Sequence, residues 1–178
     1  TSQPKFDVRV DRELADGRLT YAGGVAGTSG IAHTAIGPFD LDNGSSMGYA
    51  SVRYRKRTLQ VAAFANLVGA SAPNLLFVDP TTGRPLHLAF DTRTYDVEAS
   101  DRRAAGRHVF AFGGNARRNQ FEISLAPLAK GRTEVGAYLQ DQIALGRASV
   151  SLGGRIDKFG NLDAPVFSPR VALTYSIA

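Results

Sequence analysis

The chain has 178 residues, no cysteine, 19 glycines and a net charge of +5, from 21 Lys and Arg against 16 Asp and Glu. Without cysteine there is no disulfide scaffold, thiolate metal site or cysteine nucleophile. No run approaches the roughly 20 apolar residues of a membrane helix, an absence that does not count against a membrane β-barrel.

Alternation of apolar and polar residues with a period of two predicts about nine strands, and helical periodicity is essentially absent. The first covers residues 5–12, with Phe6, Val8 and Val10 opposite Asp7, Arg9 and Asp11. A short turn over 13–17 leads to a strand over 18–26, with Leu19, Tyr21 and Val25 on one face. A long Gly/Ser/Asp-rich loop is expected over 27–46. Strand three (47–55) sets Ala50, Val52 and Tyr54 against Ser51, Arg53 and Arg55. A tight turn at Lys56-Arg57 gives strand four (58–67).

A second long loop, 68–91, contains the turn signal Asp79-Pro80-Thr81-Thr82-Gly83-Arg84-Pro85. Strand five (92–99) has Tyr95, Val97 and Ala99 against Thr94, Asp96 and Glu98. A polar turn (100–106), strand six (107–117) and a longer connection (118–132) follow. The last third alternates most clearly, over 134–145, 147–159 and 168–178, with a tight turn near Gly146 and a medium loop over 160–167. All eight prolines are expected in loops or at strand ends, where a missing amide donor is tolerated. Connections therefore alternate short and long. Greek-key sandwiches break that order, and up-and-down outer-membrane barrels keep it. The arginines are spread along the chain rather than gathered in one stripe, so no nucleic-acid partner is expected. The first ten residues carry Lys5, Asp7 and Arg9 and no apolar stretch, so they do not read as a signal peptide. The expectation is a mature fragment, an internal excerpt, or a protein that is not exported.

Three elements in order carry a resemblance. Glu134-Val135-Gly136-Ala137-Tyr138-Leu139-Gln140-Asp141-Gln142-Ile143 is followed by Leu152-Gly153-Gly154-Arg155-Ile156-Asp157-Lys158-Phe159 and then by Val166-Phe167-Ser168-Pro169-Arg170-Val171-Ala172. This series resembles the barrel of TonB-dependent outer-membrane receptors. The likeness is sharp over residues 91–178 and diffuse before them. It implies an all-β, antiparallel, up-and-down transmembrane barrel, of which this chain supplies an incomplete segment. The family's barrel has about 22 strands and is plugged by a separate N-terminal domain. Residues 1–178 would be an internal piece, with the plug domain, the energy-coupling box and the remaining strands lying elsewhere in a longer chain. The implied function is import of a scarce substrate, often a metal chelate such as a siderophore, across the outer membrane of a Gram-negative bacterium. Implied partners are outer-membrane lipid, the plug of the same chain, an inner-membrane energy-coupling protein and a small-molecule substrate. Neither a cofactor nor an enzymatic activity is expected. Two other classes fit the alternation: a passive porin or other outer-membrane barrel, and a soluble β-sandwich binding module.

On the barrel reading Leu139, Val150, Leu152, Val171 and Leu173 face acyl chains, and Tyr54, Tyr95 and Tyr175 lie near the interfaces. The lumen receives Arg53, Arg55, Asp96, Glu98, Asn115, Arg117, Gln140, Arg155, Asp157 and Arg170. Asp141 is the exception, because alternation puts it on the lipid side. His33 and His87 are candidate ligand contacts in the outer loops, and residues 27–46 and 68–91 are where substrate contacts are expected. Gly44-Ser45-Ser46-Met47-Gly48 matches the G-x-S-x-G pattern, but a polar loop precedes it and a strand follows, so it is not expected to be a nucleophile elbow. His108 is isolated in sequence and shows no metal-ligand spacing. Asp40 and Asp42 read as a solvated turn rather than a calcium loop.

Overall fold

The computed structural model describes residues 3–41, 45–128 and 131–177. Their secondary structure is eleven strands and no helix: β1 (Lys5–Leu14), β2 (Gly17–Gly27), β3 (Gly30–Thr34), β4 (Gly37–Leu41), β5 (Ser46–Lys56), β6 (Leu59–Val78), β7 (Pro85–Ala105), β8 (His108–Ile123), β9 (Arg132–Leu145), β10 (Ala148–Phe159) and β11 (Val166–Tyr175). Nine of them form one antiparallel meander in the order β1-β2-β5-β6-β7-β8-β9-β10-β11, and β3 and β4 form a side hairpin off that path. The sheet is open, with β1 and β11 as its edges.

Four connections, at 15–16, 57–58, 106–107 and 146–147, are two residues long and lie at one end of the sheet. Gly106 (φ 58°), Gly146 (φ 65°) and Arg57 (φ 53°) hold positive φ at the first turn position, as primed hairpin turns require. The tight turns do not lie in one row. Register runs from Leu14/Gly17 and Lys56/Leu59 across to Asp101, Phe112, Leu139 and Gly154. The turn after Ala105 lies four residues beyond that row, and the turn after Leu145 lies six beyond it.

Four expectations about the connections need correction, the first being 118–132, which loses its opening part to β8 as that strand runs on to Ile123. The stretch 68–91 is mostly strand: β6 runs on to Val78 and β7 starts at Pro85, paired with each other above the point where β5 leaves at Ser46/Gly69. Residues 27–46 contain the β3–β4 hairpin, whose Phe39 pairs with Asn74. Most of 100–106 belongs to β7. Pro73 and Pro169 also stand inside strands, not at their ends. Pro169 is on an edge strand, and Pro73 lies where β6 has lost β5 as a neighbour, so neither removes a needed ladder donor.

Cross-strand partners share a face, so the register fixes which residues lie together. One face carries Phe6, Val8, Tyr21, Val25, Val52, Val61, Val97, Phe112, Leu139, Ile143, Val150, Leu152, Val171 and Leu173. Nothing among the described residues covers it. Leu139 is 57% exposed, Leu152 47% and Val171 76%, and the only buried hydrophobic residues among those described are Phe39 and Ala72. The accessible surface is 12394 Å². A compact soluble monomer of this mass exposes about 8,400 Å². Apart from the β3–β4 hairpin, the described residues form a single layer, and an apolar sheet face is ordinarily buried against a second one.

Candidate functional site

The opposite face holds all ten residues read from the sequence as one polar set. Arg53, Glu98, Asn115 and Asp157 fall in one transverse row, with Ala62 and Gly136 between them. Arg55 and Arg155 lie in the row nearer the tight turns, and Gln140 and Arg170 in the next, either side of Gly153. Asp96 faces Arg117 directly, one row nearer the long connections.

Two connected groups organise this face. Arg155 spans β9: its Nε donates to Asp157 Oδ2 at 2.7 Å, and an Nη2 hydrogen goes to Asn115 Oδ1 on β8 at 2.8 Å. The crossing is possible because Gly136 lies between Asn115 and Asp157. A Cβ there would collide with the Asp157 carboxylate and the Arg155 guanidinium. In the second group Arg117 Nε donates to Asp96 Oδ2 at 2.8 Å, and the guanidinium carbon stands 5.8 Å from the centroid of the Phe64 ring. Asp96 is buried beneath this arginine. Toward β1, Arg9 pairs with Asp11, Thr20 donates to Asp11 at 2.6 Å, Arg18 pairs with Glu13, and Tyr49 donates to Asp7. Arg53, Arg55, Glu98, Gln140 and Arg170 make no side-chain hydrogen bond or ion pair with another described residue, so their charges and amide remain free for water or an external partner.

The long-connection end has a small core of its own. Asn74, nearly fully buried, donates from Nδ2 to Ile36 O at 2.8 Å, and its Oδ1 accepts from Leu76 N and Phe77 N, both at 2.9 Å. One amide thereby ties the β3–β4 hairpin to the top of β6, above buried Ala72 and Phe39. His87 lies on β7 with Nε2 at 3.1 Å from Ser71 Oγ. His33 is exposed on β3, and no hydrogen bond joins it to His87. Beyond β6 the Asp79 carboxylate accepts from Thr81 N at 2.7 Å and Thr82 N at 3.3 Å. The Thr81 amide hydrogen bond holds its pKa below the ordinary carboxylate value.

The G-x-S-x-G segment is no elbow. Ser45 is buried with Oγ toward Ser71 N, Ser46 opens strand β5, and Gly44 lies outside the described residues. Asp40 is exposed on β4, and Asp42 also lies outside the described residues. No group of three His, Asp or Glu able to hold a metal ion occurs among the described residues.

Sequence reading missed a partner for Asp141. On the apolar face it stands opposite Phe110, and its Oδ2 lies 2.7 Å from His108 Nδ1, one strand away and 33 residues back. The His108 ring stacks on Phe110 at 5.8 Å between centroids. Asp101, also on this face, is covered by Arg103 at 2.6 Å and accepts from Arg102 N. Both acids are therefore paired near the tight-turn end. The signal available in sequence was a polar residue breaking the apolar alternation on each of two neighbouring strands. Comparison with protein-family models and with curated protein sequences gives no match.

Proposed function

We propose that this sheet is a stretch of wall from an outer-membrane β-barrel, and that the barrel belongs to an energy-coupled receptor of the TonB-dependent kind. The observation that carries the wall reading is the uncovered apolar face. A nine-strand path with a polar network on one side, and essentially no buried hydrophobic residue in the path itself, fits lipid outside and a wet lumen inside. The stagger of the tight turns agrees. Six residues over six strand spacings, at about 3.3 Å and 4.8 Å each, is a tilt of about 35°, which lies in the range of barrel walls. Strands β9 to β11, of 14, 12 and 10 residues, are long enough to cross a bilayer at that tilt. The receptor reading rests on the resemblance over the last three strands. In it Arg53, Arg55, Glu98, Gln140 and Arg170 offer the lumen side to a plug or a passing solute, and β6–β7 with the β3–β4 hairpin projects outward as the substrate-facing end.

The absence of cysteine makes the test clean. Single cysteines at positions 139, 152 and 171 should react with a lipid-soluble maleimide and resist a charged one. Cysteines at 140, 151 and 170 should do the reverse. Equal labelling of both sets by the charged reagent would remove the lipid face and leave a soluble module. For the receptor, uptake of its substrate by cells should stop when the inner-membrane proton gradient is collapsed, whereas a passive pore would continue to leak.

A further inference from the structure

The net charge of the chain is gathered at one end of the sheet. Segments 12–19, 54–61, 103–110 and 143–150, which flank the four tight turns, carry eight cationic side chains and two acidic ones. The other residues have 13 cationic against 14 acidic. Arginines dispersed along the sequence are thus brought together by the meander, because every second connection returns to the same edge. Three of the eight cations are neutralised, by the pairs Arg18–Glu13, Lys56–Asp16 and Arg103–Asp101. Of the other five, Arg55 lies on the polar face, and Arg12, Arg57, Arg107 and Arg147 are exposed and make no ion pair with any described residue. Arg12 lies on the apolar face, opposite Leu19, and the other three occupy turns. On the same apolar face Tyr54 lies in the row of Arg12, through Leu19, while Phe110 opposite Arg103 and Tyr175 opposite Ala148 lie just inside the turn arginines.

Aromatic rings beside or just inside unpaired guanidinium groups form the arrangement that a membrane interface rewards. Rings favour the boundary of the acyl region, and arginines reach past it to phosphates. We propose that the tight-turn end docks anionic phospholipid headgroups in the leaflet on that side, through Arg12, Arg57, Arg107 and Arg147, an inference that rests on the apolar face being lipid-facing. The guanidinium fork suits a phosphate, and several such groups at one depth act on the same charged surface. Docking there also fixes how deep the wall sits, because the arginines extend from four successive hairpins along the tilted sheet.

The test measures lipid selectivity of the full chain, extracted in detergent and returned to neutral phosphatidylcholine vesicles. Spin-labelled phosphatidylglycerol and spin-labelled phosphatidylcholine report the lipid immobilised at the protein surface. The expected result is a several-fold preference for phosphatidylglycerol. It should be lost in the variant R12Q/R57Q/R107Q/R147Q and in about 0.5 M salt, and kept in R84Q, which removes a cation at the opposite end. Immobilised lipid with no headgroup preference, or a preference that survives in the quadruple variant or disappears in R84Q, would overturn the docking proposal and leave the barrel wall standing. Absence of any immobilised lipid would sink the barrel wall and this proposal together.

Discussion

The two ends of the β6–β7 ribbon obey different rules. Its lower half is part of the nine-strand sheet, where Val61, Ala63, Ala65 and Leu67 share the apolar face with Val97 and Tyr95, and no second layer among the described residues covers them. Its upper half, with the β3–β4 hairpin against it, holds buried Phe39, Ala72 and Asn74. The nine-strand sheet is held by strand pairing and has little core of its own among the described residues, so its stability depends on what covers its apolar face. The upper region closes a small core inside the chain. Strand pairing alone supplies shape, and burial has to come from a second layer or from the surrounding medium.

The largest effect should come from placing a charge on the uncovered face. In vesicles Leu152→Arg is expected to lower stability by about 2–4 kcal/mol, while Ser151→Arg on the neighbouring polar position changes little. Urea midpoints of the two variants in the same lipid measure the difference. Equal midpoints would mean that the two faces meet the same solvent. The upper region answers to a different substitution. Asn74→Ala removes three hydrogen bonds at a buried site and should cost about 2–3 kcal/mol locally, because Ile36 O and two amides lose their partner. Hydrogen exchange at Leu76 and Phe77 should speed up by about two orders of magnitude while the amides around Leu139 stay protected. A uniform acceleration would show that the two regions open as one unit.

Gly136→Ala is a smaller and more local break in the sheet. The new methyl group needs the space where Arg155 crosses to Asn115, so the expected cost is about 1–2 kcal/mol. Asn115→Ala combined with it should add less than its own separate effect, because both act on one network. Fully additive effects would mean that Arg155 finds another route.

This network also marks the limit of what the sequence discloses. Period-two alternation was enough to place Asn115, Arg155 and Asp157 on one face, since a strand allows only two directions. It could not place Gly136 beneath Arg155, because that needs the register between β8, β9 and β10. The His108–Asp141 pair escaped for the same reason. Residues 68–91 misled for another. Prolines and small polar residues such as Ser71, Pro73 and Asn74 have weak strand preference, but β6 and β7 hold each other in register well past the end of β5. Pairing with a neighbour outweighs intrinsic propensity in a sheet.

Protonation separates the two ends most finely. Asp79 caps the β6–β7 connection by accepting from the Thr81 and Thr82 amides, and its pKa is depressed, the Thr81 amide being the first cause. The disordered loop therefore binds the proton more readily than the ordered one. Ordering of the connection is then fully supported above the ordinary carboxylate value of about 3.9, and that support fades as pH falls through the lower native value. Asp79 is exposed, so salt and solvent keep the effect small and confined to this loop. The Thr81 amide should lose protection in that acid window while the Leu139 amide keeps its own. Asp79→Asn should flatten the dependence, since the amide oxygen still accepts hydrogen bonds but carries no charge to titrate. If the Thr81 profile instead followed that of Leu139, acid would be acting on the whole sheet, and the independence of the β6–β7 end would be lost.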